Sequence, residues 1–479
     1  MHTHTQTQKL KNMSKQNIED QESNVTVNVD DYYYYYYYDE PTSVLDSNLA
    51  GSPAIIPTDF TATLDYFSTT DNCSFLIPQK DHFTLPPPPP LLPAPISSNH
   101  DQLLDILFRA ASSIDSGNLT TAHLLLSHLT HLFPSISGSA LHRSALHFRD
   151  SLLSLLSDPY LPTDLPADLL LRVTAYKTFS DLSPLPQFSS FTTNQILLES
   201  LSSSSSSSSK SLHLIDFELG LGSQWSSFAE ELAVRSRFSR TSPPSLRLTA
   251  VVPTDSLDSS LAADNLRDFA RALGLRFSVD LVPVSNLGTL ALSAIRFSPG
   301  ESVAAVLTPA IFHLLGSAGE PEDTSASLLR FLRRASPRAV VFVDTEPCCC
   351  SNPEPPPRPS FKRRFASGIE FYSALLESLD SAASATGLGD DSVRRIERFL
   401  IRPRISSTVA SCGALSTSWP EMFASAGFSP APFSEFTESQ AECLLRRAPV
   451  DGFDVEGKEG AMVLSWRGRE LAATSAWKC

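Results

Sequence analysis

Residues 212–225 constrain the fold more than any other stretch of the chain. Leu212-His213-Leu214-Ile215 is an apolar run that ends at Asp216-Phe217-Glu218. Two glycines follow, Gly220 and Gly222, and a helical pattern begins at Ser223-Gln224-Trp225. A buried parallel strand that turns tightly into a helix reads this way. In many α/β proteins such glycines let the backbone approach a cofactor. Here Ser223, Gln224 and the bulky Trp225 stand where a third small residue belongs. The turn is therefore expected to keep the shape of a cofactor loop without binding a cofactor. Asp216, Glu218, Gly220 and Gly222 are the candidate ligand groups if it does bind one.

Strand and helix alternate from that point. Strands are predicted at 211–217, 246–252, 276–282, 302–308 and 338–343, with helices at 223–237, 256–273 and 361–386. Alternation implies a parallel sheet covered on both faces. Phe453–Glu456, Met462–Trp466 and Glu470–Thr474 read as short strands joined by glycine turns, closing one edge antiparallel. The preceding region is helical and rich in leucine. Leu103, Leu107, Ala110 and Ile114 share a face. Gly117-Asn118 breaks the run, and Leu125, Leu129 and Leu132 resume it. Further helices fall at Ala140–Leu156, Leu169–Phe179 and Thr193–Leu201. The leucines Leu103, Leu107, Leu125 and Leu129 are expected to support cap packing or self-association. Leu152, Leu155 and Leu156 form an LxxLL pattern, a style of helix-in-groove ligand, but the same face continues through the helix, which favours a core role.

The chain divides into a tail at 1–98, a leucine-rich helical cap at 99–201, a poly-serine linker at 202–210 and an α/β core at 211–479. The tail holds Tyr32 to Tyr38 between acids and the proline run Pro86 to Pro90. Its apolar residues are too sparse to offset ordering entropy, so it is expected to be disordered. It has 4 basic and 12 acidic residues, a net of −8 within a whole-chain charge of −15. That balance argues against coating nucleic acid by bulk electrostatics. Seven cysteines occur without a CxxC pair, which excludes a zinc module of common spacing and fits a reducing, intracellular compartment. There is no signal-like apolar core and no apolar run of membrane-spanning length.

A class I methyltransferase would place a second carboxylate at the end of its second strand. That strand ends Val251-Val252-Pro253-Thr254, and Asp255 is placed to cap the next helix. Asp344 and Glu346 follow the fifth strand, where open α/β sheets bind ligands, but no base or nucleophile accompanies them. His123, His128, His131, His142 and His147 lie among the N-terminal helices without an acid or cysteine to complete a metal set. Lys362-Arg363-Arg364 and the group Arg394, Arg395, Arg398, Arg402 and Arg404 stand out as basic. Solvated faces are the ordinary reading and phosphate contact the alternative.

Five ordered blocks also carry a resemblance. Leu212-His213-Leu214-Ile215-Asp216 resembles the VHIID block of the plant GRAS family. Ala175-Tyr176-Lys177-Thr178-Phe179 with Phe191-Thr192-Thr193-Asn194-Gln195 resembles the end of its first leucine-rich block, and Asn265 to Ala270 falls in the second. Arg363-Arg364-Phe365 to Phe371-Tyr372-Ser373-Ala374-Leu375 is similar to the PFYRE region, and Ser475-Ala476-Trp477 to the SAW terminus. Glu40 to Asp46 and Ser439 to Cys443 resemble the HAIRY MERISTEM branch. The resemblance implies a Rossmann-like, methyltransferase-like core with a helical cap. It also implies nuclear transcriptional regulation through protein partners, including homeodomain-type transcription factors and co-regulators. A homodimer, indirect DNA contact, no cofactor and no membrane association are expected with it. An S-adenosylmethionine-dependent enzyme and a non-nuclear scaffold are the alternatives.

Overall fold

The computed structural model describes residues 98–157, 166–202, 211–253, 256–283, 294–316, 321–347, 361–411 and 418–479. The tail before Ser98, serines 203–209, Thr254, Asp255, Cys348 to Cys350 and the proline-rich stretch 353–359 lie outside the described residues.

The five apolar runs form parallel strands: β1 (Ser211–Asp216), β2 (Ser245–Val252), β3 (Phe277–Pro283), β4 (Ser302–Leu307) and β5 (Ala339–Asp344). Three further strands complete the chain after the short β6 (Ser429–Ala431): β7 (Phe453–Lys458), β8 (Ala461–Trp466) and β9 (Arg469–Lys478). The order across the sheet is β3-β2-β1-β4-β5-β9-β8-β7, with β6 beside β9. The first five strands are parallel, and β9 joins β5 antiparallel through pairs such as Val341 with Ala476. The order reverses between β1 and β4. In an open α/β sheet that reversal marks the ligand crevice.

Successive strand residues point to opposite faces, and the core divides accordingly. Leu212 and Leu214 of β1 pack with α5 (Leu185–Ser202), α6 (Ser223–Phe238) and α7 (Leu257–Ala272). Ile215 packs on the other face, with α8 (Pro309–Gly316), α9 (Pro321–Arg334) and α13 (Trp419–Ser425).

The cap consists of α1 (Ser98–Asp115), α2 (Leu119–Leu132), α3 (Ala140–Leu156), α4 (Pro166–Leu182), α10 (Phe361–Thr386), α11 (Asp390–Ile396), a π-helical turn (Glu397–Ile401) and α12 (Arg402–Ser411). The chain order therefore misleads at two places. Residues 361–411 return to the helical layer, with Phe148 of α3 edge-on to Phe365 of α10 at 5.1 Å. Helix α5, which precedes the serine linker, lies on the sheet through Ile196, Leu197 and Leu198. The cap core even shares Met462, Leu464 and Trp466 with β8. Helix α14 (Glu435–Leu445) adds Ala441.

Polar groups lock these helices together. The Glu397 carboxylate is buried and accepts from Arg143 Nε at 2.8 Å and from His147 Nε2 at 2.9 Å. Burial pushes Glu397 up, but the hydrogen bond from His147 and the charge of Arg143 outweigh it and hold the carboxyl below its usual range. The π turn has a local cause. Pro403 has no N–H to give Phe399, and its ring crowds that carbonyl. Arg402 N–H bonds instead to Glu397 O, five residues back. At the start of α10, Asp115 accepts from the N–H groups of Phe361 and Lys362 at 2.9 and 3.0 Å, which satisfies two orphan donors.

Trp477 of β9 is buried and stacks on Phe423 of α13 at 4.7 Å and 10°. Trp477→Ala is expected to lower unfolding free energy by about 3–5 kcal/mol, read from urea denaturation followed by far-UV dichroism. Unchanged stability would mean that the strand closes without its tryptophan.

Candidate functional site

The carboxyl end of β1 carries the groups that the sequence singles out. Asp216 is 4 % exposed. Its Oδ1 accepts from Glu218 N–H at 2.9 Å and its Oδ2 from Trp225 Nε1 at 2.6 Å. Burial raises its pKa to about 6, against the pull of these two hydrogen bonds. Trp225 is fully buried, and its ring lies edge-on to Phe228 within the helix–sheet core. The indole therefore turns away from the crevice, while its N–H fixes the turn. Glu218 Oε2 accepts from Thr308 Oγ1, just past β4, at 2.5 Å. The two carboxylates thus bind the turn to α6 and to β4.

The glycines differ in what they permit. Gly222 has φ +80°, and a Cβ there would lie 3.1 Å from Leu266 Cδ1 of α7. Gly220 has φ +55° and open space around it. Gly222 is the position that lets α6 and α7 close on each other.

The cap reaches this end of the sheet. Tyr176 Oη on α4 lies 3.1 Å from Ser223 Oγ, and Asn194 Nδ2 on α5 donates to Gln224 O at 3.2 Å. Arg172 of α4 pairs with Asp258 in the first turn of α7. The N-cap of α7 is Ser256, whose side chain accepts from Ser259 N–H, in place of the expected Asp255. A methyltransferase-type cofactor would need a free carboxylate on these turns; Asp216 and Asp258 are both engaged inside the protein, and the exposed Glu218 accepts from Thr308 through one oxygen.

His213 takes no part in this end of β1. It is buried lower in the sheet, with Nε2 2.8 Å from Thr249 Oγ1 and Nδ1 3.0 Å from Arg247 Nη2. Burial and then the Arg247 charge lower its pKa to about 4. At neutral pH its Nδ1 accepts from Arg247, and Nε2–H donates to Thr249. Arg247 also holds Glu301 at 2.5 Å. Asp344 Oδ1 accepts from Glu346 N–H at 3.0 Å, which shapes the turn after β5. Among the described residues no cluster of three His, Cys, Asp or Glu side chains could hold a metal.

The predicted interaction leucines belong to the core. Leu103, Leu107, Leu129 and Leu152 are buried, and Leu125 and Leu156 pack partly buried against them. This removes the self-association reading for Leu103, Leu107 and Leu129. Leu155 is the exception in the LxxLL pattern, half exposed on α3. Leu132, which the sequence places on the apolar face of α2, is exposed, as are Leu119 and Leu124 on α2, Leu170 and Leu171 on α4, Leu257 and Leu388. For α2 the signal is local, since that helix contains no Asp, Glu, Lys or Arg at all. Lys362, Arg363, Arg394, Arg398 and Arg402 are exposed, and Arg364, Arg395 and Arg404 partly so. Ser475 and Ala476 lie in β9 between β5 and its β8 and β6 neighbours.

The GRAS domain family model matches residues 103–478. This chain belongs to the GRAS domain family. Its GRAS domain is similar to the crystal structure of SCL7 from Oryza sativa, with TM-score 0.57 and 26% identity over 78% of this chain and 99% of that one. It is 35% identical to Scarecrow-like protein 15 of Arabidopsis thaliana over 91% of this chain and 85% of the relative. It is 34% identical to Scarecrow-like protein 6 of Arabidopsis thaliana over 78% of this chain and 62% of the relative. A DELLA protein of Medicago truncatula is 28% identical. These scarecrow-like and DELLA relatives are regulators of plant development, and the GRAS domain described here shares their regulatory class.

Two outcomes are expected at the turn. Ala at Gly220 or Gly222 carries the left-handed backbone cost of about 1–2 kcal/mol. Gly222→Ala adds overpacking against Leu266 of about 1–3 kcal/mol, so it should melt lower than Gly220→Ala; equal melting temperatures would refute the close approach. The second outcome concerns pH. The folded pKa of Asp216 is raised, so its contribution to stability is full below pH 3.8 and is lost as pH rises through about 6. Trp225→Phe removes a donor that favours the charged form. Its destabilisation should be larger at pH 7.5 than at pH 5 in paired denaturation curves, and a pH-independent loss would exclude the hydrogen bond as its cause.

Proposed function

We propose that this protein regulates transcription in the plant nucleus by binding other proteins and does so without catalysis. The observation that carries this reading is the engagement of both Asp216 oxygens by Glu218 N–H and Trp225 Nε1. The carboxylate at the head of the crevice serves the turn. Residues 99–479 act as one unit behind the N-terminal tail, since helices from both halves of the chain share one core.

The partners we infer are DNA-binding transcription factors and co-regulators, with DNA reached through them. The resemblance of Glu40 to Asp46 and Ser439 to Cys443 to the HAIRY MERISTEM branch points to homeodomain-type factors and to meristem maintenance. The surface we assign to such a partner is the outer face of α2. Leu124 and Leu132 are exposed there among His123, His128 and His131. Apolar side chains in an uncharged helical face lose little on desolvation and suit an apolar groove or helix of a partner.

Partner capture from plant nuclei, with a reporter assay of the tethered protein, tests the proposal. Leu124→Asp is exposed and should leave stability within about 0.5 kcal/mol while reducing recovery of transcription factors at least fivefold. Retention of all partners would discard the α2 face. Saturable binding of S-adenosylmethionine in calorimetry, lost in Gly222→Val, would overturn the non-catalytic reading.

A further inference from the structure

The segment from α11 to α12 holds Arg394, Arg395, Arg398, Arg402 and Arg404, and none of these guanidinium groups has a carboxylate partner among the described residues. Arg143, Arg235, Arg247, Arg267 and Arg467 are each paired with an acid, whereas this segment brings five arginines without that pairing together within eleven residues. The group is unexpected on charge grounds, since the whole chain carries −15. The acid within the segment, Glu397, is buried and taken by Arg143 and His147. Asp390 and Asp391 lie in the first turn of α11, where they face the helix N-terminus.

The π turn gives the arginines a common direction. Four residues of α-helix overshoot a full turn by about 40°, whereas four residues of the wider π turn fall short of one. Arg394, Arg398 and Arg402 therefore stay nearly in line, about 6 Å apart along the axis where the helix is α. All three are exposed. Arg398 also lies over the Phe399 ring at 5.1 Å. The row offers forks for carboxylates and flat faces for aromatic rings.

One segment of the same chain has the complementary chemistry. Asp30-Asp31 and Asp39-Glu40 flank Tyr32 to Tyr38, with no basic residue between Asp30 and Glu40. We propose that the arginine row of α11–α12 is the docking site for this acid-flanked tyrosine segment of the chain's own tail. Carboxylates would pair with the guanidinium groups at either end, and tyrosine rings would stack on them between. The tether permits it. Glu40 lies 58 residues before Ser98, the start of α1. A chain of that length spans up to roughly 190 Å when extended. Helix α1 packs against α3, and α3 against α12, so the tail is rooted in the layer that carries the row. Tethering makes the tail a stronger competitor than a free polyanion, by raising its effective concentration to the millimolar range. The phosphates of nucleic acid would meet the same row, but against the net charge of the whole chain.

The test uses the full chain with p-benzoylphenylalanine in place of Tyr35. Irradiation should crosslink the tail to peptides within 390–411 in the monomer band, as mapped by mass spectrometry. The triple variant Arg394→Glu, Arg398→Glu, Arg402→Glu should reduce that crosslink at least tenfold at an unchanged melting temperature. If the triple variant does not fold, Asp30→Asn, Asp31→Asn, Asp39→Asn and Glu40→Gln together, which leave the row intact, should give the same loss. Crosslinks mapped elsewhere, confined to a dimer band, or insensitive to both sets of changes would overturn the proposal. So would loss of duplex-DNA retention in the arginine variant while tail crosslinks persist unchanged, which would make the row a nucleic-acid contact.

Discussion

A carboxylate without water must be answered by donors, and the answer given to Asp216 organises this domain. Its two oxygens receive one backbone and one indole N–H. The indole donor fixes where α6 begins, and α6 can begin there only because Gly222 takes a left-handed conformation beside Leu266. The cap then registers on the same helix start through Tyr176 and Asn194. A cluster of side chains that could have faced a small molecule instead joins strand, helix and cap. An unpaired buried acceptor would cost about 1–3 kcal/mol, which explains why a tryptophan stands where an enzyme of this architecture would keep a small residue.

The second organising contact is Glu397 with Arg143 and His147, which joins residues 254 and 250 positions apart in the chain. Breaking such a buried pair is worth about 3–5 kcal/mol because a charge is left unanswered. Together with the Asp115 contacts to the start of α10, it draws the 361–411 helices onto α1 and α3. The cap is thereby built from both ends of the domain, around a sheet that the chain forms in between.

Much of this was legible in the sequence. Helix α10 spans Phe361–Thr386 and helix α3 Ala140–Leu156, as their leucine and aromatic spacing indicates. The parallel strands lie within a residue or two of their apolar runs, because buried strands announce themselves by continuous apolar character. What was not legible is tertiary. Leu103 and Leu124 look alike in a list of leucines, but Leu103 on α1 sits in the cap core while Leu124 on α2 is exposed. The roles of Asp216 and Trp225 were both open in the sequence, since a hydrogen bond nine residues apart depends on the angle at which the helix leaves the strand. Glu397 gave no local signal, as its partners lie far away in the chain. Helices α8, α9 and α11 to α14 were missed because several are short and their apolar positions serve partners on distant elements.

The position of β9 has a consequence for biosynthesis. Its pairing with β5 joins residues 340–344 to residues 473–477, so the ribosome makes one partner about 130 residues before the other. At elongation rates of about 5–20 residues per second, that interval is roughly 7–26 seconds. Throughout it β5, apolar from Ala339 to Val343, has one open hydrogen-bonding edge, the condition under which nascent chains pair with the wrong neighbour. The nascent GRAS domain therefore carries that open edge until its last strand arrives.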